Sequence, residues 1–245
     1  MSFNIEVEGG TSVRLPTAGK YCDRDIVVTA TGGGGGGSNF MKTLFEQGIF
    51  RDESTTEMCS DCFRGWQYIK QIDMPNVKSI NQYACYNCTG LTAIDFPLCE
   101  TIGNYTFYNN TDVASINMPK LTTTGTNAFR QLTSLVGVKL PLLTDINGTV
   151  FQKCTLLEKA DFPSAKSLGA NAFNGCEALV TLIFRSNQLC TMANVNALAS
   201  TPIENGTGYV YFPKAWVDAQ KSASNWSIYA AQIRAIEDYP EITGG

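Results

Sequence analysis

Histidine is absent from all 245 residues. That one absence removes Ser-His-Asp and Cys-His nucleophilic machinery, and every histidine-bound metal, from consideration. Basic residues are also scarce: 18 Lys and Arg stand against 22 Asp and Glu, for a net charge of -4. With no basic cluster, neither nucleic acid nor an anionic membrane is an expected partner. No apolar run is long enough to cross a bilayer, so no membrane insertion is expected. Residues 1–10 carry neither the basic nor the apolar stretch of a secretory signal, which predicts a protein made in the cytoplasm and released by lysis. No cofactor-binding motif is found, and the chain is not expected to be an enzyme.

What the sequence has in abundance is order. Pro75, Pro97, Pro119, Pro141 and Pro163 are each 22 residues apart, and other columns keep the same interval. One column holds Ile69, Leu91, Val113, Leu135, Leu157 and Leu179. Another holds Ile72, Ile94, Ile116, Val138, Ala160 and Leu182, and a third Met74, Phe96, Met118, Leu140, Phe162 and Phe184. Later in each unit stand Cys85, Phe107, Phe129, Phe151 and Phe173, then Cys88, Asn110, Leu132, Cys154 and Cys176.

A fixed apolar skeleton at this period means stacked units, because one unit cannot bury its own hydrophobic face and a row of them can. The two-residue alternation at Ile94 and Phe96 is that of a half-buried strand, and strands stacked rung on rung pair in parallel. Proline lacks a ladder donor, so its recurrence marks where each strand ends. Gly103, Gly125 and Gly169, with Asn81 and Asn147 in the same column, predict a recurrent positive-φ turn. The N-A-F and Y-T-F segments that follow are too short for more than a helical turn. The expected architecture is a β-rich solenoid of 22-residue repeats, a parallel sheet with short helical turns.

The segments L-T-A-I-D-F-P (91–97) and L-G-A-N-A-F-N-G-C (168–176) resemble the BspA-like leucine-rich repeats of bacterial and phage proteins, over residues 58 to 200. Six rungs are clear, and residues 58–66 fit the second half of an eroded earlier one, with Phe63 and Trp66 in the Phe and Cys columns. Beyond 200 the interval slips: Pro213 falls 28 residues after Arg185 where 22 are expected, implying an insertion of about six residues. Residues 215–223 and 227–236 read as two amphipathic helices of a C-terminal cap, residues 214–245, with Trp216, Trp226, Ile228, Tyr229 and Ile233 over the last rung. The solenoid is placed at 39–213, with a helix over 40–47 closing its first rung.

Glycines 32–37 and Ser38 form a flexible linker. Residues 1–31 ahead of it suggest three short strands around Ile5 and Val7, Val13 and Leu15, and Ile26 and Val28. A segment this small rarely folds alone, which predicts a homo-oligomer or attachment to something larger. Residues 9–30 also resemble the N-terminal segment of phage tail-associated proteins, and 209–233 the end of repeat proteins from the same setting. These resemblances imply a virion structural protein whose residues 1–31 contact other virion proteins and whose solenoid meets a host cell-surface protein or glycan. The alternative is a bacterial surface adhesin of the BspA-like kind.

Cys59, Cys62, Cys85 and Cys88 have the spacing of a four-thiolate zinc site. The repeat offers another reading, since Cys85 and Cys88 fall in apolar columns and Cys62 in the small-residue column of Ala84, Ala128 and Ala172. The nine cysteines are expected as reduced, buried thiols. Asp73, Asp95 and Asp161 recur at one strand position and read as a solvent-facing row. Candidate binding residues flank the Phe column: Tyr83, Tyr86, Asn87, Tyr105, Tyr108, Asn109, Asn127, Arg130, Gln131, Gln152, Asn171 and Asn174. Tyr, Arg and Asn are typical of binding surfaces, although turn residues covering the rungs would look the same. A second candidate is the strand face, with Gln71, Asp73, Asp95, Ser115, Asn117, Lys139, Lys159, Asp161 and Thr181.

Overall fold

The computed structural model describes residues 48–243, together with the backbone of two strands near the N-terminus. Those two, Asn4–Val7 and Thr11–Arg14, pair antiparallel with Ile5 opposite Val13. The third strand, the linker and the helix expected over 40–47 lie outside the described residues.

From Ile49 onward each 22-residue unit contributes two strands. A three- or four-residue strand lies on one side: Ile49–Arg51, Gln71–Asp73, Ala93–Asp95, Ser115–Asn117, Gly137–Lys139, Lys159–Phe162 and Thr181–Phe184. A two-residue strand lies on the other, from Glu57–Met58 through Thr101–Ile102 to Ser167–Leu168. Both ladders are parallel, and partners are one repeat apart: Ile94 pairs with Ile116, Ile80 with Ile102, Val138 with Ala160. The long-strand ladder pairs continuously from Gly137–Lys139 to the C-terminal end, whereas the strands before it pair two by two.

The first rung is complete rather than eroded. Ile49–Arg51 pairs with Gln71–Asp73, and Phe50 stands one repeat before Ile72, buried. The columns meet in one core, where Phe63, Cys85, Phe107, Phe129, Phe151 and Phe173 are fully buried. Each such side chain contributes about 1.5–3 kcal/mol of gross burial energy. Four of the phenylalanines form a spine of near-parallel rings, with centroid spacings of 5.9, 5.3 and 5.5 Å from Phe107 through Phe129 and Phe151 to Phe173.

The glycine column has a different cause from the one expected. Gly103, Gly125 and Gly169 do not have positive φ. They are glycine because adjacent rungs touch there: a Cβ on Gly125 would lie 2.3 Å from the backbone nitrogen of Asn104, and one on Gly169 2.5 Å from that of Gly148. Left-handed residues instead recur at two later columns, at Asp61, Tyr83, Tyr105, Asn127, Thr149 and Asn171, and at Gly65, Asn87, Asn109, Gln131, Lys153 and Gly175. This conformation turns alternate N–H groups along the solenoid axis. The amides of Tyr83, Cys85 and Asn87 donate to the carbonyls of Asn104, Thr106 and Tyr108. The turn edge, with its short helical turns as expected, is thereby a third backbone ladder.

The six-residue insertion divides in two. Ser167 pairs with Thr191, 24 residues on, and Thr181 with Tyr209, 28 residues on, so two residues enter before Thr191 and four more before Tyr209. The C-terminal cap is not wholly helical. Lys214–Trp216 and Val217–Ser222 are a helical pair, and Ser227–Gln232 a 3-10 helix, but Ile233–Ala235 adds a last parallel strand beside Tyr209–Phe212. Trp226 and Tyr229 seal the core as expected, with Trp226 edge-on to Phe184 and Phe212, while Ile228 is exposed.

Candidate binding surface

The turn edge carries the tyrosines, and the rung spacing stacks them. Tyr83 lies on Tyr105 with centroids 5.2 Å apart and planes within 10°, and Tyr86 on Tyr108 at 5.0 Å and 6°. The two stacks touch, Tyr83 against Tyr86 at 5.8 Å and Tyr105 against Tyr108 at 5.7 Å. Cations close one end of both stacks and the far end of the Tyr86–Tyr108 stack. Arg64 sits over the rings of Tyr83 and Tyr86 at 5.1 and 5.0 Å, and Arg130 over Tyr108 at 5.7 Å. Contacts of this kind contribute roughly 0.5–1 kcal/mol at exposed sites.

Arg64 is the member the sequence reading missed. It stands one repeat before Tyr86, in a column that runs Arg64, Tyr86, Tyr108, Arg130, Gln152, Asn174, and extending the register back through the first rung finds it. Its guanidinium also pairs with Asp61 at 2.9 Å.

The asparagines of the strip have a backbone explanation. Asn87, Asn109, Asn127 and Asn171 all hold φ near +58°, a region asparagine enters more readily than most residues. Neighbours then tie them down: Asn109 donates to Asn87 at 2.6 Å, Arg130 to Asn127 at 3.1 Å and Gln152 to Asn174 at 3.2 Å. Tyr83 and Tyr105 occupy the same left-handed column with bulky side chains, at a cost on the order of 1 kcal/mol each relative to ordinary backbone. The fold does not call for tyrosine there, since the same column holds Asn127, Thr149 and Asn171. Just beyond the stack, Arg130 Nε and Gln131 Oε1 are buried and have no hydrogen-bond partner among the described residues. Both atoms are closed to solvent.

The strand face is less uniform than the sequence suggests. Gln71, Asp95, Ser115, Asn117, Lys139 and Lys159 are exposed, with Asn117 donating to Asp95 at 2.7 Å. Asp73 pairs with Arg51 at 3.2 Å. Asp161 departs from the expected wet row, with a side chain only 4% exposed and Arg185 paired to both its oxygens at 3.1–3.3 Å. The cause is the C-terminal tail. Residues 236–243 fold back over the outer face, where Ile236 and Ile242 cover Ile183 and Tyr211, and Arg185 donates to the Ile242 carbonyl at 2.7 Å. Arg234 lies over Tyr209 at 4.5 Å and completes the cover.

The cysteines divide. Cys59 and Cys62 are joined by a disulfide, contrary to the expectation of reduced thiols throughout; the turn places their Cα atoms 5.5 Å apart, within the span a disulfide bridges. Cys85 and Cys88 are buried, and the Cys88 thiol donates to the Phe63 carbonyl at 2.9 Å. Cys154 and Cys176 do the same with the carbonyls of Phe129 and Phe151. Burial pushes the Cys99 and Cys190 thiols from 9.0 up to about 12. Among the described residues no group of three or more acidic, Cys or His ligands converges on a point that could hold a metal, and none of their helices is long and apolar enough to cross a membrane.

Comparison with known proteins agrees with the fold. The chain is similar in structure to a leucine-rich repeat protein of T. pallidum, at 22% identity and a TM-score of 0.52, over 59% of this chain and 71% of that one. It is also similar to one from Bacteroides ovatus, at 22% identity and a TM-score of 0.47, over 77% of this chain and 41% of the other. A leucine rich cell surface protein of Faecalibacterium prausnitzii matches at 12% identity and a TM-score of 0.28, over 75% and 76% of the two chains. No curated protein matches the sequence. The model of the BspA type leucine rich repeat region matches in six copies, over residues 36–158 and 100–209. With its paired ladders, phenylalanine spine and 22-residue interval, the chain belongs to the BspA type leucine-rich repeat family.

Proposed function

We propose that the protein is a non-catalytic binding scaffold of the bacterial surface-adhesin kind, and that it engages a host cell-surface protein or glycan through the tyrosine-rich turn edge. The observation that carries this reading is Tyr83 and Tyr105, held in a left-handed backbone that favours asparagine, yet stacked into a half-buried surface ladder that Arg64 closes at one end. A residue kept at a local cost, at a surface position with no packing need for it, points to recognition. Tyr83, Tyr86 and Tyr108 have their ring faces occupied by neighbouring rings and guanidinium groups, so there a ligand meets ring edges and hydroxyls.

The membership of residues 36–209 in the BspA type family favours a surface adhesin over a virion protein. The virion reading has only the resemblances of residues 9–30 and 209–233 behind it. In either setting residues 1–31, with their hairpin, are the proposed point of attachment or self-association.

Binding of the full chain to host epithelial cells and to arrayed glycans and matrix proteins tests the surface. Tyr108→Ala and Arg64→Ala should each lower capture about tenfold or more, the effect of losing about 1.4 kcal/mol. Capture unchanged in both variants would overturn the assignment. Protease shaving of intact bacteria, set against mass spectrometry of purified phage particles, decides between the two settings.

A further inference from the structure

We infer a second binding site on the strand face, a cleft for the carboxylate of an acidic sugar, framed by Gly137, Lys139, Lys159 and Asp161. The cleft is a shallow, open depression of about 310 Å³ lined by those residues and Val138. That is the lower end of the range for small-ligand sites, on the order of 300–1,000 Å³.

Gly137 is the residue that opens it. The preceding and following rungs hold Ala93, Ser115, Lys159 and Thr181 at that column. Glycine inside a strand costs roughly 0.5–1 kcal/mol relative to alanine. Gly137 is not in a positive-φ conformation, and a Cβ placed there would meet nothing nearer than the Lys159 carbonyl at 3.8 Å, an ordinary contact. In this it differs from Gly103, Gly125 and Gly169, which the backbone requires. A strand glycine with neither a steric nor a dihedral reason marks a place where something else approaches the backbone closely.

The charge is specific to this rung. Lys139 and Lys159 are exposed and take part in none of the ion pairs among the described residues. Asp161, which stands opposite Lys139 in register, is already neutralised by Arg185. The cleft is therefore positive on an otherwise acidic molecule, and the column's other acids, Asp95 and Asp73, lie two and three rungs away from Lys139. On the C-terminal side the tail closes the face at the contact of Arg185 with Ile242. An extended peptide pairs with a sheet along a free edge, and this cleft lies on the face. A compact acid, with its carboxylate between the lysines, suits the geometry better. This site is independent of the tyrosine ladder.

The test is an amide chemical-shift titration of the full chain with glucuronate, glucose, and a tetrapeptide bearing a free C-terminal carboxylate. Glucuronate should shift residues 137–139 and 159–161 saturably, with glucose binding about tenfold or more weakly. Gly137→Val fills the cleft in a strand that accepts the side chain, and should abolish the shifts at unchanged melting temperature. Lys139→Gln with Lys159→Gln should bring glucuronate down to the level of glucose, while Tyr108→Ala should change nothing here. The proposal is overturned by an absent response to glucuronate, by equal binding of glucose, by Gly137→Val retaining the shifts, or by saturation with the tetrapeptide alone.

Discussion

The phenylalanine spine and the tyrosine ladder are the same stack built on two sides of one turn. Phe129 on Phe151 at 5.3 Å and 16°, and Tyr86 on Tyr108 at 5.0 Å and 6°, differ little in geometry. They differ in what surrounds them, because the phenylalanines are fully buried and the tyrosines half-exposed. Stacking is therefore a product of the repeat, since identical residues one rung apart are brought face to face on either side. Stability comes from the water excluded around the spine, and the ladder inherits the order without the burial. A solenoid can hold an exposed aromatic array rigid because the backbone ladder beneath it is fixed.

If that is right, truncation must hurt the spine far more than the ladder. Phe129→Ala should cost about 3–5 kcal/mol, the range for a buried phenylalanine left as a cavity, whereas Tyr105→Ala should cost roughly 1 kcal/mol or less. Urea midpoints at constant slope measure both. Similar losses would mean that ring contact, not burial, sets the energy. The second contrast lies in the glycines. Gly125→Ala forces a Cβ into the backbone of Asn104 and should cost on the order of 1–3 kcal/mol. Gly137→Ala should be neutral or stabilise by about 0.5 kcal/mol.

Burial also separates the two sides in pH. The Cys99 and Cys190 thiols have folded values of about 12 against 9.0 when exposed, so the folded state holds protons that the unfolded state has released. Their contribution is fully present below about pH 9 and is lost as pH rises toward 12. By about pH 10 each should have lowered stability by roughly 1 kcal/mol. Cys99→Ala should flatten the fall in urea midpoint between about pH 8 and pH 10.5, and a slope identical to that of the parent would remove burial as its cause.

Most of the solenoid was legible because its cause is local and repeated. Proline every 22 residues and an alternating strand suffice to fix register, and register fixes which residues stack. What was illegible depends on contacts between distant segments or on backbone angles that several residue types can adopt. Asp161 looks like Asp95 in sequence, and only the tail from Ile236 onward, folded back over the sheet, makes one buried and leaves the other wet. Gly103 and Gly125 looked like turn glycines, because close approach between rungs leaves the same residue as a positive φ. The last strand, Ile233–Ala235, has the sequence pattern of the helix expected there, because its alternation spans three residues, too few to tell the two periods apart. The tyrosine strip was legible as a column and as a candidate surface, whereas the left-handed backbone of Tyr83 and Tyr105 beneath it was not.

The smallest expected change in stability is also the most decisive for function. Replacing Tyr86 and Tyr108 together with phenylalanine gives the ladder the chemistry of the spine while leaving it exposed. The rings keep their stacking and Arg64 and Arg130 keep their aromatic faces, so stability should move by no more than about 0.5 kcal/mol. Only two hydroxyls leave the surface. If ligands are read by ring edges and hydroxyls, as the occupied ring faces require, capture should fall nearly as far as in Tyr108→Ala. If capture survives the loss of the hydroxyls but not of the rings, the ladder binds through apolar contact.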